Sequence, residues 1–314
     1  MEPLNNKKKT IISIVATCVV ITGLTVFCGY LLTRNNVLAK ENQELRAENH
    51  YSNVLAPPPL PDSITFAGER VPLDNMMVRE SLDRELTAIC FQHGTTLMCL
   101  KRSGRWFPLI EKILKEEGLP EDFKYLCIAE SSLQNAISPA KAVGFWQFLE
   151  GTARSYGLEV TDEVDERYDV EKSTRAACKY LKAGKQSLGS WSLAAAGYNM
   201  GTGGVSKNMK LQSVDNYWDM YLNQETARYV FRIIAYKAIF ENPHIYSVRI
   251  APEEKQKPVE LEEVKITQSI ANLYDFCKEH KITYKELKTW NPWLRSSKLT
   301  VKDGKSYSIK IPKK

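Results

Sequence analysis

Histidine is scarce in this chain, and the paired cysteines that usually hold a metal are missing. The 314 residues include four histidines, His50, His93, His244 and His280, and no Cys-x-x-Cys pair. Zinc enzymes need three or four closely arranged His, Cys or carboxylate ligands, so a zinc hydrolase is disfavoured. The acidic run 162–166 lacks the glycine and ligand spacing of a calcium loop, and we expect it to be a solvated connection. The sequence therefore predicts no metal and no other cofactor.

An even number of cysteines is also missing outside the apolar N-terminal stretch. Five of the seven cysteines lie beyond residue 34, so at least one would stay unpaired in an oxidising compartment. Cys127 has apolar neighbours, and we expect it to be a small core residue rather than a nucleophile.

Charged residues are absent from residues 10–32. As a helix, residues 11–32 would be about 33 Å long, enough to cross a hydrocarbon core of about 30 Å. Lysines occupy positions 7–9, whereas only Arg34 closely follows the stretch, which places the N-terminus in the cytoplasm. The sequence therefore predicts a cytoplasmic N-terminus and transmembrane anchor over residues 1–33, with the rest of the chain extracytoplasmic and facing the periplasm.

Two other fates of this apolar stretch are a cleaved signal peptide and a lipoprotein signal. The stretch is longer than a usual signal core, and no clear Ala-x-Ala cleavage site follows it. Cys28 follows the bulky Phe27, at a position where lipidation needs a small residue. These features favour the uncleaved anchor.

Two linkers divide the remainder of the chain. Residues 34–62 combine a polar, helix-favouring segment with a proline-rich stretch, which predicts a stiff spacer. Residues 246–262 are charged and lack apolar periodicity, which predicts a second linker. Between them we expect a helical lead-in over residues 63–106 and a catalytic domain over residues 107–245, with a small module over residues 263–314 after the second linker.

One carboxylate interrupts an otherwise apolar helix. Five side chains recur at helical spacing on one face, namely Phe123, Leu126, Cys127, Glu130 and Leu133. Burial of a carboxylate raises its pKa into the range that suits a general acid at neutral pH. Glu130 is therefore a candidate catalytic acid, and the alternative is a core glutamate paired with an Arg or Lys elsewhere.

Three further motifs follow this helix. They are Ser138-Pro139-Ala140 with Gly144-Phe145-Trp146-Gln147-Phe148, then Ala196-Gly197-Tyr198-Asn199-Met200-Gly201, then Glu225-Thr226-Ala227-Arg228-Tyr229-Val230. Taken singly, each is ordinary packing or helix-cap sequence. In this order after Glu130-Ser131, they resemble the goose-lysozyme-like lytic transglycosylases, and in particular the membrane-bound lytic transglycosylase D group. The resemblance covers roughly residues 107–240.

The resemblance implies a mainly α, lysozyme-like catalytic domain. It implies that Glu130 is catalytic and that the substrate-binding residues are Ser131, Gly144, Gln147, Phe148, Tyr198, Asn199 and Tyr229. Tyr229 would hydrogen-bond Glu130 and set its protonation, and Ser131 would orient rather than attack, because the motifs hold no His or Lys base. Lys141 departs from the family, which usually has glycine there, and Gly197 stands where alanine is usual.

The activity that the resemblance implies needs only one carboxylate, whereas glycosidases that use water generally need two. In a peptidoglycan lytic transglycosylase, Glu130 would protonate the oxygen between N-acetylmuramic acid and N-acetylglucosamine. The same carboxylate would then deprotonate the muramic C6 hydroxyl, which closes a 1,6-anhydro ring. The alternatives are a goose-type hydrolytic muramidase and a non-catalytic wall-binding protein.

The basic charge of the chain lies mainly in its tail. From Ala251 onwards there are 13 Lys and one Arg against nine acidic residues. Strand-like ends and two helical segments between them resemble a lysin-motif (LysM) module, a small α+β glycan binder of βααβ order. Because Thr267-Gln268-Ser269-Ile270 replaces the usual opening of that motif, the alternative is a degenerate packing module. We expect the partners to be peptidoglycan glycan strands and, through the N-terminal helix, the membrane. The compartment disfavours nucleic acid.

Overall fold

The computed structural model describes residues 22–41 and 56–313, and the chain divides into two units after residue 57. In the first unit, residues 22–41 form helix α1, whose side chains are exposed. None of the helices within these two ranges is both long and apolar enough to span a membrane. The predicted anchor before residue 22, and residues 42–55 of the predicted first linker, lie outside the described residues.

The second unit is mainly helical, as predicted. It opens with an antiparallel hairpin of β1 (Thr65–Phe66) and β2 (Glu69–Arg70). The helices that follow are α2 (Met76–Phe91), α3 (His93–Glu116), α4 (Phe123–Ser131), α5 (Glu150–Ser155), α6 (Val170–Leu188), α7 (Trp191–Met200), α8 (Thr202–Gln212) and α9 (Gln224–Glu241), with a 3-10 turn at Glu166–Tyr168. Helix α3 runs through the predicted boundary between lead-in and catalytic domain.

Helix α9 is central because α2, α4 and α7 all contact it. Its start is fixed by Asn223, whose side chain accepts a hydrogen bond from the Thr226 backbone N–H at 3.0 Å. Helix α4 is short and largely enclosed, and it ends where Ser132 and Leu133 adopt left-handed backbone angles, with φ of 53° and 57°. These two helices carry Glu130 and Tyr229, and their contact brings the two residues within reach of each other.

The C-terminal module has the predicted βααβ order. It consists of β3 (Leu261–Ile266), α10 (Leu273–Glu279), α11 (Tyr284–Trp290) and β4 (Tyr307–Pro312). The strands are antiparallel, with Val264 opposite Ile309. Tyr307, Ile309 and Ile311 alternate inward along β4 and are buried, so one face of the two-stranded sheet covers the module's core.

The acidic run 162–166 is not the solvated connection that its composition predicts. Val164, Asp165 and Glu166 are 2%, 6% and 8% exposed. The Asp165 N–H donates to the Trp293 carbonyl at 2.9 Å, and the Arg295 N–H donates to the Glu163 carbonyl at 2.8 Å. The backbone of the run docks on the C-terminal module, and the Glu163 carboxylate pairs with Lys298 of that module. The two buried carboxylates are bound by residues that precede the module, Asp165 by Arg167 and Glu166 by Lys172.

Candidate active site

The Gly-Phe-Trp-Gln motif forms the turn of a tight hairpin. Val143 and Phe148 exchange backbone hydrogen bonds of 3.1 Å in both directions, and the turn lies between them. The Gln147 side-chain amide donates to the Gly144 carbonyl at 2.8 Å and to the Ala136 carbonyl at 3.1 Å. These bonds hold the turn against the segment that follows α4 and fix where Gln147 and Phe148 lie.

Gly144 is required by the close approach of another backbone segment. Its φ is +85°, and a Cβ added there would lie 2.0 Å from the Arg167 carbonyl oxygen. Lys141, which replaces a usual glycine, nevertheless adopts a φ of +62°. A lysine is therefore accommodated where the family's usual residue would be less strained.

Trp146 connects the turn to two helices. Its side chain is fully buried, and its indole N–H donates to Thr174 Oγ1 of α6 at 2.8 Å. The Tyr198 hydroxyl of α7 donates to the Trp146 carbonyl at 2.7 Å. Tyr198 also meets the Phe148 ring edge-on, with centroids 6.0 Å apart. Thus two motifs about 50 residues apart in sequence share one wall.

Asn199 ties the end of α7 to the start of α9. Its side-chain amide donates to Glu225 Oε1 at 3.2 Å, and its carbonyl oxygen accepts from Thr226 Oγ1 at 2.7 Å. Asn199 of the second motif thereby holds Glu225, the first residue of the third motif, one helical turn before Tyr229 on α9.

Glu130 lies in the last turn of α4, partly exposed, and the Tyr229 hydroxyl donates a hydrogen bond to its Oε1. Burial raises the pKa of Glu130 to about 7; the Tyr229 hydrogen bond opposes this shift, the nearby Glu225 charge adds to it, and Arg232 opposes it weakly. In the described ranges, no Lys or Arg forms a salt bridge with Glu130. The alternative of a core glutamate neutralised by a cation therefore has no support in this geometry.

A cleft of about 670 Å³ opens beside Glu130. The predicted site residues that line it are Glu130, Gln147, Phe148, Tyr198 and Asn199. Ser131, Gly144 and Tyr229 do not line it. The Ser131 hydroxyl points back along α4 and donates to the Cys127 carbonyl at 3.2 Å, whereas Gly144 and Tyr229 lie behind the lining.

Sequence reasoning missed part of this lining. Ser138, Pro139, Ala140 and Glu225 belong to the quoted motifs but were not predicted as site residues, and Thr152 and Tyr180 lie outside the motifs. Glu225 places a second carboxylate in the same cleft as Glu130, although the expected activity needs only one. Its position four residues before Tyr229 was the available signal, since residues at that spacing share a helix face.

Cys127 is fully buried, and burial raises the pKa of its thiol well above the usual value. It is a core residue, as predicted, and all six described cysteines are free. Among residues 22–41 and 56–313, no group of three or more His, Cys, Asp or Glu side chains is arranged to hold a metal ion.

The fold and the four motifs define a known class of domain. Residues 107–221 match the family model of the transglycosylase SLT domain, and residues 262–314 match that of the soluble lytic transglycosylase C-terminal LysM-like domain. Residues 107–221 are therefore similar to a transglycosylase SLT domain, and the predicted resemblance and fold class are confirmed.

Two curated relatives carry the same name. The chain is 30% identical over 262 residues to the membrane-bound lytic murein transglycosylase D of Escherichia coli strain K12, and equally to that of Escherichia coli O6:H1. Each alignment covers 81% of this chain and 56% of the relative. The chain thus spans about half the length of the curated relatives it matches.

Proposed function

We propose that this protein is a peptidoglycan lytic transglycosylase that cleaves the β-1,4 bond between N-acetylmuramic acid and N-acetylglucosamine and leaves 1,6-anhydro-muramic ends. The observation that carries this proposal is Glu130, a carboxyl with a pKa of about 7 at the wall of a cleft of about 670 Å³. A group with that pKa is partly protonated at neutral pH, so it can serve first as an acid and then as a base. The names of the two relatives support the same substrate.

The reaction needs two proton transfers through the same carboxyl. Protonated Glu130 gives its proton to the glycosidic oxygen as the bond from that oxygen to muramic C1 breaks. The resulting carboxylate takes the proton of the muramic C6 hydroxyl, whose oxygen bonds to C1. The attacking group belongs to the same sugar, so no water has to be activated, and proximity lowers the barrier.

The site residues fall into two groups under this proposal. Gln147, Phe148, Tyr198 and Asn199 line the cleft and would contact the sugar. Ser131, Gly144 and Tyr229 lie outside the lining of the cleft. Tyr229 would act through its hydrogen bond to Glu130, Gly144 by permitting the turn, and Ser131 by its hydrogen bond to the Cys127 carbonyl within α4. We assign catalysis to residues 107–245, which include α9 and Tyr229, and wall binding to residues 263–314.

A hydrolytic muramidase is the second candidate, and Glu225 is the observation that favours it. Inverting glycosidases use a second carboxylate as a base for water. Mass analysis of the fragments released from peptidoglycan separates the two candidates, because an anhydro product is one water lighter than a hydrolysis product. Reducing-end products from the wild-type chain would overturn the transglycosylase proposal in favour of the hydrolase.

Tyr229→Phe should move the alkaline limb of the pH–rate profile to higher pH. The Tyr229 hydrogen bond lowers the pKa of Glu130, so its loss lets that pKa rise above about 7. The acid form of Glu130 would then persist to higher pH. The measurement is kcat/KM for soluble glycan strands as a function of pH. An alkaline limb that stays in place, or moves to lower pH, would contradict this role for Tyr229.

We also propose that residues 11–32 anchor the chain in a membrane, with the catalytic part on the periplasmic side. A reporter fused after Pro61 should then be active only outside the cytoplasm, and the full chain should resist extraction by salt or carbonate. The relatives' name, membrane-bound, agrees with this proposal. A mature N-terminus beyond Leu32 would instead identify the stretch as a cleaved signal.

A further inference from the structure

The C-terminal module and the catalytic cleft share a hydrophobic cluster. Val143, Val164 and Tyr168 of the SLT domain are buried together with Trp293 and Leu294 of the module. Val143 is the residue whose backbone pairs with Phe148 in the hairpin beside Glu130's cleft. One residue of the cleft hairpin therefore belongs to the core of the module.

Backbone pairing and charge reinforce this contact. Val164 and Leu294 form a β-bridge, with the two hydrogen bonds of Asp165 and Arg295 on either side of it. Three acidic residues of the SLT domain each face one lysine of the module. The pairs are Glu163 with Lys298 at 3.0 Å, Glu171 with Lys310 at 3.2 Å, and Glu159 with Lys305. The Glu163 carboxylate also accepts from the Thr300 backbone N–H at 2.8 Å, so it caps a loop of the module.

Arg167 carries this contact on to the hairpin. Its guanidinium binds the Asp165 carboxylate through two hydrogen bonds of 2.9 and 2.7 Å, and both side chains are about nine-tenths buried. The same guanidinium donates to the Lys141 and Phe148 carbonyls, each at 3.3 Å. The Arg167 carbonyl oxygen lies so close to Gly144 that it leaves no room for a Cβ at that residue. Arg167 thus touches both ends and the turn of the segment 141–148.

We propose that the LysM-like module is a positioning part of the catalytic cleft. Its docking on residues 163–165 holds Arg167, and Arg167 holds the hairpin that presents Gln147 and Phe148 to the substrate. The module therefore sets turnover as well as wall affinity. This inference rests on the proposed function, and its physical part, the ordering of residues 141–148, can be measured without any activity.

The test compares two triple variants of the full chain in detergent that change the charge equally. The interface variant is Lys298→Gln, Lys305→Gln and Lys310→Gln, and the control variant is Lys281→Gln, Lys285→Gln and Lys302→Gln, at exposed positions of the same module. Hydrogen exchange reports the protection of the backbone amides of residues 141–148. Kinetics on short soluble glycan strands report kcat and KM without any contribution from wall binding.

In the interface variant we expect amide exchange of residues 141–148 to become about tenfold faster and kcat to fall about fivefold, with neither change in the control variant. Arg167→Lys should produce the same exchange pattern from within the SLT domain, since lysine cannot span the Asp165 carboxylate and two carbonyls at once. It also replaces the interface variant if that chain does not fold.

Unchanged exchange of residues 141–148 in the interface variant and in Arg167→Lys would overturn the inference. So would faster exchange with unchanged kcat, or equal effects in the control variant. These outcomes differ from failure of the proposed function, in which the wild-type chain would release no anhydro product at all.

Discussion

Glu130→Gln is expected to lower the rate of glycan cleavage by about 10²- to 10⁴-fold, the usual contribution of general acid–base catalysis. Each tenfold loss corresponds to about 1.4 kcal/mol of barrier. Glutamine keeps the size of Glu130 and can still accept the Tyr229 hydrogen bond, but it cannot deliver or remove a proton. The measurement is the rate at which anhydro fragments are released from peptidoglycan, followed by mass spectrometry.

Glu225→Gln is the matched control. It removes a carboxylate from the same cleft and keeps an oxygen that can accept from Asn199. In a transglycosylase the Glu225→Gln chain should still release anhydro product, whereas an inverting hydrolase that used Glu225 as base would lose its activity. Substantial anhydro product from a folded Glu130→Gln chain would remove Glu130 from the mechanism.

The same Glu130→Gln substitution should make the fold more stable at high pH. The pKa of Glu130 is about 7 in the folded protein and 4.5 in its ordinary state. Between these values the folded state binds more protons than the unfolded state, so the free energy of unfolding falls as pH rises through that window. Glutamine does not ionise, so the Glu130→Gln chain does not lose stability in this window. Above the window we expect its free energy of unfolding to exceed that of the wild-type chain by on the order of 2 kcal/mol. Unfolding curves at about pH 5 and about pH 8 measure it, and equal gains at both would contradict the raised pKa.

The parts of the fold that follow from local sequence were predictable. The strand-like ends of the tail predicted β3 and β4, and the recurring apolar face predicted helix α4 with Glu130 among its buried neighbours. The hydrogen bond between Tyr229 and Glu130 was also expected, from the order of the motifs. The strand and helix predictions depend on patterns within one element, whereas the Tyr229–Glu130 contact joins residues 99 apart in sequence and was implied by the family resemblance.

The remaining features depend on contacts between distant segments. Glu163 looks like a solvated charge in sequence because its partners, Lys298 and the Thr300 backbone N–H, lie in the C-terminal module. Glu166 is bound by the nearby Lys172, but its burial depends on how the chain folds around it. Ser131 looks like a cleft residue because it follows Glu130, yet helical geometry turns its hydroxyl back onto the Cys127 carbonyl. Arg167 lies in no motif, and its role is visible only where the hairpin and the module meet.

Gly144→Ala, in the hairpin behind the cleft, should cost about 3 kcal/mol or more of the free energy of unfolding. Two effects add at this position: the backbone has a φ of +85°, and the new Cβ would lie 2.0 Å from the Arg167 carbonyl oxygen. The clash is not easily relieved, because the Arg167 side chain is held by Asp165 and the backbone of the turn is held by the Gln147 side chain. Chemical unfolding of the full chain at fixed pH gives the free energy.

Gly189→Ala separates the two effects. Gly189 has a φ of +92°, and nothing lies within 4 Å of an added Cβ, so only the backbone conformation should cost, by about 1 kcal/mol. The difference between the two variants then measures the close approach of Arg167 to the turn. Equal costs would mean that this approach relaxes freely and that the cleft hairpin is not fixed from that side. A larger cost for Gly144→Ala than for Gly189→Ala, together with faster amide exchange of residues 141–148 in the Gly144→Ala chain, would show that the hairpin and Arg167 form one rigid contact.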